Sequence, residues 1–241
     1  MHDDVLAAHR YSSVSEMGEM GEVVQPRGAG ALFQGDYSTS VTVGDEFDGS
    51  RLGLGVMHDL EGEVVSVNGV TWAIPVDGQP RVVASHEGIA FGVAARGGVQ
   101  HKVAVSAGVS LENLIHVVDA YLEIAHVDHE QVVCAIEIVG TFTDVVLRTV
   151  AAPIYAHEPL AEVIDHETRF PFDVWSGSLV GFRFPDTTSA DLIPGLHLHA
   201  IAQDTNSGGH VRAATTGKVV MHLWVDELHP WKSGLATSPG C

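Results

Sequence analysis

Thiols are nearly missing from this chain, which has two cysteines in 241 residues. Cys134 lies in the apolar run VVCAIEIV and Cys241 at the very end, and neither has a neighbour at metal-site or redox-motif spacing. Thiol chemistry is not expected to be central. Basic residues are also scarce, with 12 Lys and Arg against 31 Asp and Glu, a formal charge of −19. Such a field opposes binding to phosphate backbones and anionic lipid surfaces, so nucleic acid and membrane are not expected partners. No run approaches the roughly 18 apolar residues of a membrane span. The first stretch, MHDDVLAAHRYSSVSEMGEMGE, has no basic segment followed by an apolar one. A soluble, cytoplasmic protein is the expectation.

What is present suits a packed fold. Hydrophobic residues make up 45% of the chain and charged residues 18%, enough apolar surface for one large domain or two small ones sharing a core. Residues 1–30 are acidic and Gly-rich and read as a weakly ordered leader. From Glu63 to Trp72 the sequence reads as two strands joined by an Asn68-Gly69 turn. Leu111, Leu114, Ile115, Val118, Leu122 and Ala125 recur at helical spacing between Ser110 and Asp128, with Ser110 placed to cap the first turn. Residues 132–150 are rich in β-branched side chains around Gly140-Thr141, which predicts a strand pair.

After a linker from Pro153 to Pro159 come a short helix near Leu160 to His166 and strands at 178–184, 197–201 and 218–225. Strands dominate without a βαβ rhythm. The expectation is an α+β fold with antiparallel or mixed sheets, divided into β-rich halves at 31–152 and 153–241.

The chain holds fifteen histidines, so only an arrangement of them carries weight. On a strand, residues i and i+2 share a face, so His197 and His199 in GLHLHA present two imidazoles side by side while Leu196 and Leu198 pack behind. His210 follows a polar loop and the pair Gly208-Gly209, which lets the backbone approach the neighbouring strand closely. Three histidines form a metal site with positions left open for water or substrate; zinc is the first candidate, with manganese or iron as alternatives. Among the remaining histidines, His222 is the one best placed to face the same pocket.

These segments also carry a resemblance. LGLGVMHDLEGEVVSVNG at 52–69, AIEIVGTFTDVVLRTV at 135–150, GSLVGFRFPD at 177–186 and PGLHLHAIAQDTNSGGHV at 194–211 resemble, in order, the α-acetolactate decarboxylases. The resemblance implies that His197, His199 and His210 bind zinc and that Glu63 and Arg148 are active-site residues. It also implies a small 2-hydroxy-3-keto acid as substrate, decarboxylation through an enediolate stabilised by metal chelation of the keto and hydroxyl oxygens, no organic cofactor, and a homodimer.

The chain departs from the family's pattern in three places. Leu196 and Ala200 flank the histidine pair, which predicts a smaller pocket wall, and Val56-Met57 removes a hydroxyl near the site. Trp231 to Cys241 carries no acidic residue where the family's tail supplies a glutamate; Glu227 is a candidate for that place. Two alternatives stand beside this reading. A cupin-like metalloenzyme also begins with H-x-H, but wants a glutamate where this chain has Ala200-Ile201-Ala202-Gln203. A diverged, non-catalytic metal-binding homologue is the other.

Overall fold

The computed structural model describes residues 22–24, 29–97, 99–130, 132–185 and 193–225. Glu227, the tail after it and most of the expected leader lie outside the described residues. Glu22–Val24, inside that leader stretch, form a strand.

Seven strands make one antiparallel sheet: β1 (Glu22–Val24), β2 (Val41–Thr42), β3 (Leu52–Met57), β4 (Glu63–Val67), β5 (Val70–Ile74), β6 (Arg81–Val82) and β7 (Gly88–Arg96). Their order is β1-β7-β3-β4-β5-β6, with β2 on a further stretch of β7. A second antiparallel sheet contains β8 (Val99–Ala104), β9 (Cys134–Thr149), β10 (Thr168–Phe184), β11 (Gly195–Ala202) and β12 (Gly208–Val225), in the order β11-β10-β9-β12-β8. Strand β11 also pairs with β12, so β9, β10, β11 and β12 close into a ring of ladders. Among the described residues four α-helices accompany the sheets: α1 (Ala29–Phe33), α2 (Val43–Phe47), α3 (Leu111–Ile124) and α4 (Leu160–Asp165). This is the β-rich α+β class that the sequence predicts, and all the pairings among the described residues are antiparallel.

Burial explains why the strands stack in this way. One apolar layer lies between the two sheets and joins Leu54, Val65, Ile74 and Phe91 to Val180, Phe182 and Phe184. The outer face of the second sheet packs under α3 through Leu114, Val118 and Leu122, which recur at i, i+4 and i+8. Beneath α2, Phe47 and Val43 cover Val64, Ala73 and Ile89 of the first sheet. Each such Val, Leu, Ile or Phe side chain contributes about 1.5–3 kcal/mol on burial.

Several local expectations need correction. The 132–150 stretch is one strand rather than two. A Cβ at Gly140 (φ 150°) would run into the Lys218 carbonyl, so the Gly-Thr break marks a close approach of the paired strands β9 and β12 beside a register irregularity. Strand β12 likewise runs unbroken from Gly208, where a strand starting at Lys218 is predicted. The sheets do not divide at residue 152, because β9 lies between β10 and β12 and β8 pairs with β12. Ser110 stands at the N-terminus of α3, but its hydroxyl caps no backbone N–H and accepts instead from Asn113 Nδ2 at 3.1 Å. The Asn68-Gly69 turn is as expected, with φ of 55° and 75°, the left-handed pair that a two-residue hairpin requires.

Candidate metal centre

His197 and His199 share a face of β11, and His199 lies directly opposite His210 on β12. His197 Nε2 is 3.3 Å from His199 Nε2 and 3.1 Å from His210 Nδ1. The candidate ligand atoms all fall within 4.8 Å of one another, so a single ion could touch all three. This grouping is the one of its kind among the described residues. Leu198 packs behind the pair in the core under α3, with Leu196 partly buried beside it. The Gly208-Gly209 pair is needed for this approach. A side chain at Gly208 would meet the Ala200 carbonyl of β11, and one at Gly209 (φ 137°) the Arg148 carbonyl of β9.

His199 Nδ1 is 2.8 Å from the Val64 carbonyl oxygen. A carbonyl only accepts, so Nδ1 carries the proton and Nε2 turns its lone pair into the cluster. Burial pushes the pKa of His199 down to about 3, with Arg148 adding to the fall and the Val64 bond opposing it. Burial likewise holds His197 and His210 well below the ordinary histidine range; His199 and Arg148 lower His197 further, and Arg148, His197, His199 and Arg212 lower His210 further. Three neutral imidazoles converging in a buried site fit a divalent cation, because neutral nitrogens donate lone pairs and leave the ion its charge.

Glu63 opens β4, and Arg148, near the end of β9, lies in register with His210. Both are buried. Arg148 Nη1 donates to Glu63 Oε1 at 2.5 Å, while Glu63 Oε2 lies 3.4 Å from His199 Nε2. The two residues implied by resemblance thus join the three found by spacing. Burial raises the pKa of Glu63 and outweighs the opposing pull of Arg148, with Glu167 adding to the rise. Desolvation is therefore the stronger influence on this carboxyl.

The polar groups line one side of a cavity of about 50 Å³ whose other walls are apolar, with Leu32, Val56, Leu60, Phe91, Leu160 and Ile193 among them. The loop before Glu63 is strained: Asp59 and Leu60 have φ of 51° and 57°, and Leu60 is buried against the cavity. Each such non-glycine residue costs about 1–2 kcal/mol, held here by the surrounding packing. Val56 lines the cavity, and no Ser, Thr or Tyr is among its described lining residues. Leu196 and Ala200 are a correction, since both pack into the core under α3 and do not line the cavity. His222 is also away from the cavity, 3.6 Å from Glu137.

Sequence reasoning missed two kinds of partner. The Val64 carbonyl is a backbone atom with no sequence signal. Glu167 stands behind Arg148, its Oε2 3.5 Å from Arg148 Nε, with nothing local to mark it.

The family model of alpha-acetolactate decarboxylase matches residues 24–232. The chain belongs to this family. Its relatives include the alpha-acetolactate decarboxylase of Methylococcus capsulatus, 30% identical over 190 residues that cover 79% of this chain and 71% of that one. That of Raoultella terrigena is 28% identical over 181 residues, 75% of this chain and 68% of its own. The crystal structure of the Bacillus subtilis strain 168 enzyme shares the fold, with a TM-score of 0.74 and 24% identity over 84% of this chain and 85% of that one. A Staphylococcus aureus protein described as of unknown function and similar to alpha-acetolactate decarboxylase aligns with a TM-score of 0.76 at 17% identity, covering 84% of this chain and 85% of its own. Both structural likenesses show the fold. This chain's own H-x-H and G-G-H segments, which form the histidine cluster, lie within the matched residues.

Proposed function

We propose that this chain is a metal-dependent acetolactate decarboxylase that converts 2-acetolactate to acetoin and CO2. What supports it most is the convergence of His197, His199, His210, Glu63 and Arg148 on one cavity in a chain of this family. The three histidines would hold a divalent ion, zinc first. The chemistry such an ion supplies is Lewis-acid polarisation of the keto and hydroxyl oxygens of a small substrate.

The remaining work falls to the chain's own groups. Arg148 has one N–H on Glu63, and its other donors suit the substrate's carboxylate in the planar fork that a guanidinium provides. The apolar walls exclude water, which favours loss of the carboxylate as uncharged CO2. When the C–C bond breaks, its electron pair stays on the substrate and must be closed by a proton. Glu63, whose buried carboxyl retains a proton more readily than a free one, delivers it to that carbon. Delivery from one fixed side yields one enantiomer of acetoin. The same reading places homodimers of the chain in the cytoplasm, on the family resemblance; light scattering would then give twice the chain mass of 25.6 kDa.

The direct test incubates zinc-loaded protein with racemic 2-acetolactate and measures acetoin, with metal analysis of the same sample. Acetoin formation with about one ion per chain is expected. A metal-loaded protein that forms none would sink the proposal in favour of a non-catalytic homologue.

A further inference from the structure

Behind Arg148 lies a carboxylate that the mechanism above does not use. Glu167, immediately before β10, has a side chain only 5% exposed, yet it is surrounded by three guanidinium groups. Its Oε2 lies 3.5 Å from Arg148 Nε, and its Oε1 accepts from Arg169 Nε at 2.6 Å and stands 3.7 Å from Arg212 Nε. Arg169 and Arg212 are 61% and 45% exposed and sit at the rim, whereas Arg148 is 10% exposed and faces the cavity. The ladders explain the assembly, because Arg148 is in register with Arg169 on one side and with His210 on the other. Glu167 does not line the cavity, so any influence on substrate passes through Arg148.

We infer that Glu167 is a positioning residue that fixes the plane of the Arg148 guanidinium for the substrate's carboxylate; this rests on the reading of Arg148 given above. A guanidinium held at one N–H swings on its long side chain. Hydrogen-bonded at Nη1 to Glu63 and drawn at Nε by the Glu167 charge 3.5 Å away, a contact without a hydrogen bond, it keeps one orientation, with its remaining donors committed to neither carboxylate. Without Glu167, Arg148 is free to turn both prongs of its fork onto Glu63, which removes the donors that the substrate needs. Arg169 and Arg212 compensate the buried charge from outside, and this lets a carboxylate sit so deep.

Calorimetric binding to zinc-loaded protein tests this without turnover. The probes are 2,3-dihydroxy-2-methylbutanoate, which keeps the carboxylate, and acetoin, which lacks it. Glu167→Gln is expected to weaken the acid tenfold or more and acetoin less than twofold, with metal content unchanged. Arg148→Gln should weaken the acid similarly, and adding Glu167→Gln to it should cost nothing further. Equal weakening of both probes, or a full additional loss in the double variant, would mean a merely structural role and overturn the inference. Glu167→Asp, which keeps the charge but shortens the reach, should fall between wild type and Glu167→Gln; wild-type binding of the acid would overturn it as well. Unchanged acid affinity in Arg148→Gln would instead overturn the reading of Arg148 itself.

Discussion

His199 and His210 face each other in register across the β11–β12 ladder, and His199 Nδ1 is tied to the Val64 carbonyl of the other sheet at 2.8 Å. The candidate metal site therefore lies on the seam between the sheets, with all three histidines on the second sheet and the Val64 bond tying His199 to the first. His199→Ala should abolish zinc binding and acetoin formation together. In wild type, zinc at a hundred times its dissociation constant adds about 2.7 kcal/mol of stability. The variant should show no such gain in thermal melts with and without chelator; normal zinc stoichiometry in it would remove His199 from the ligand set.

Glu63→Gln separates metal binding from proton transfer. The amide keeps the size and accepts from Arg148, but it cannot carry the proton. Turnover should fall by about 10²–10⁴-fold while the metal stays bound. Unchanged turnover with one ion per chain would exclude Glu63 from the chemistry.

The sequence reveals those parts of the site whose signals are local. His197 and His199 share a face by alternation, and the Gly208-Gly209 pair announces a close approach before His210. Glu63 and Arg148 are different, because 85 positions separate them and their contact depends on how two sheets meet. Only the family resemblance points to them, and nothing points to Glu167. Gly140-Thr141 misleads for a related reason. A glycine needed where two paired strands come unusually close at a bulge looks, in one dimension, like a glycine needed for a turn. Leu196 and Ala200 flank the histidines in sequence, but alternation sends them to the opposite face, under α3.

Gly181 on β10 offers a test of how tightly the scaffold holds the ligands. A Cβ there would collide with the His197 carbonyl oxygen and come within 3.0 Å of Leu198 Cα, both backbone atoms of β11. Gly181→Ala must push β11 aside. It should cost about 1–3 kcal/mol in urea unfolding of the metal-free protein. It should also weaken zinc about 10–100-fold, as loss of ligand support does. Wild-type zinc affinity in a destabilised variant would show that the histidines tolerate the shift.

Glu46 predicts an unusual pH dependence away from the site. It lies on α2, fully buried, and neither carboxylate oxygen has a hydrogen-bond partner. Burial raises its pKa from 4.5 to about 7, with Arg96 offsetting part of the rise. Between those values the unfolded chain releases this proton while the folded chain keeps it, so folding takes up a proton. Stability from this group is complete below pH 4.5 and is lost as pH rises towards 7, by at most about 1.4 kcal/mol per pH unit. Over the window that amounts to about 2–3 kcal/mol. Glu46→Gln removes the ionisation and nearly preserves the shape. Subtracting its urea-derived stability from that of wild type at pH 5, 6, 7 and 8 cancels the other titrating groups. The difference should move against wild type as pH rises and level off above pH 7; a flat difference across the range would show that Glu46 ionises as an ordinary carboxyl.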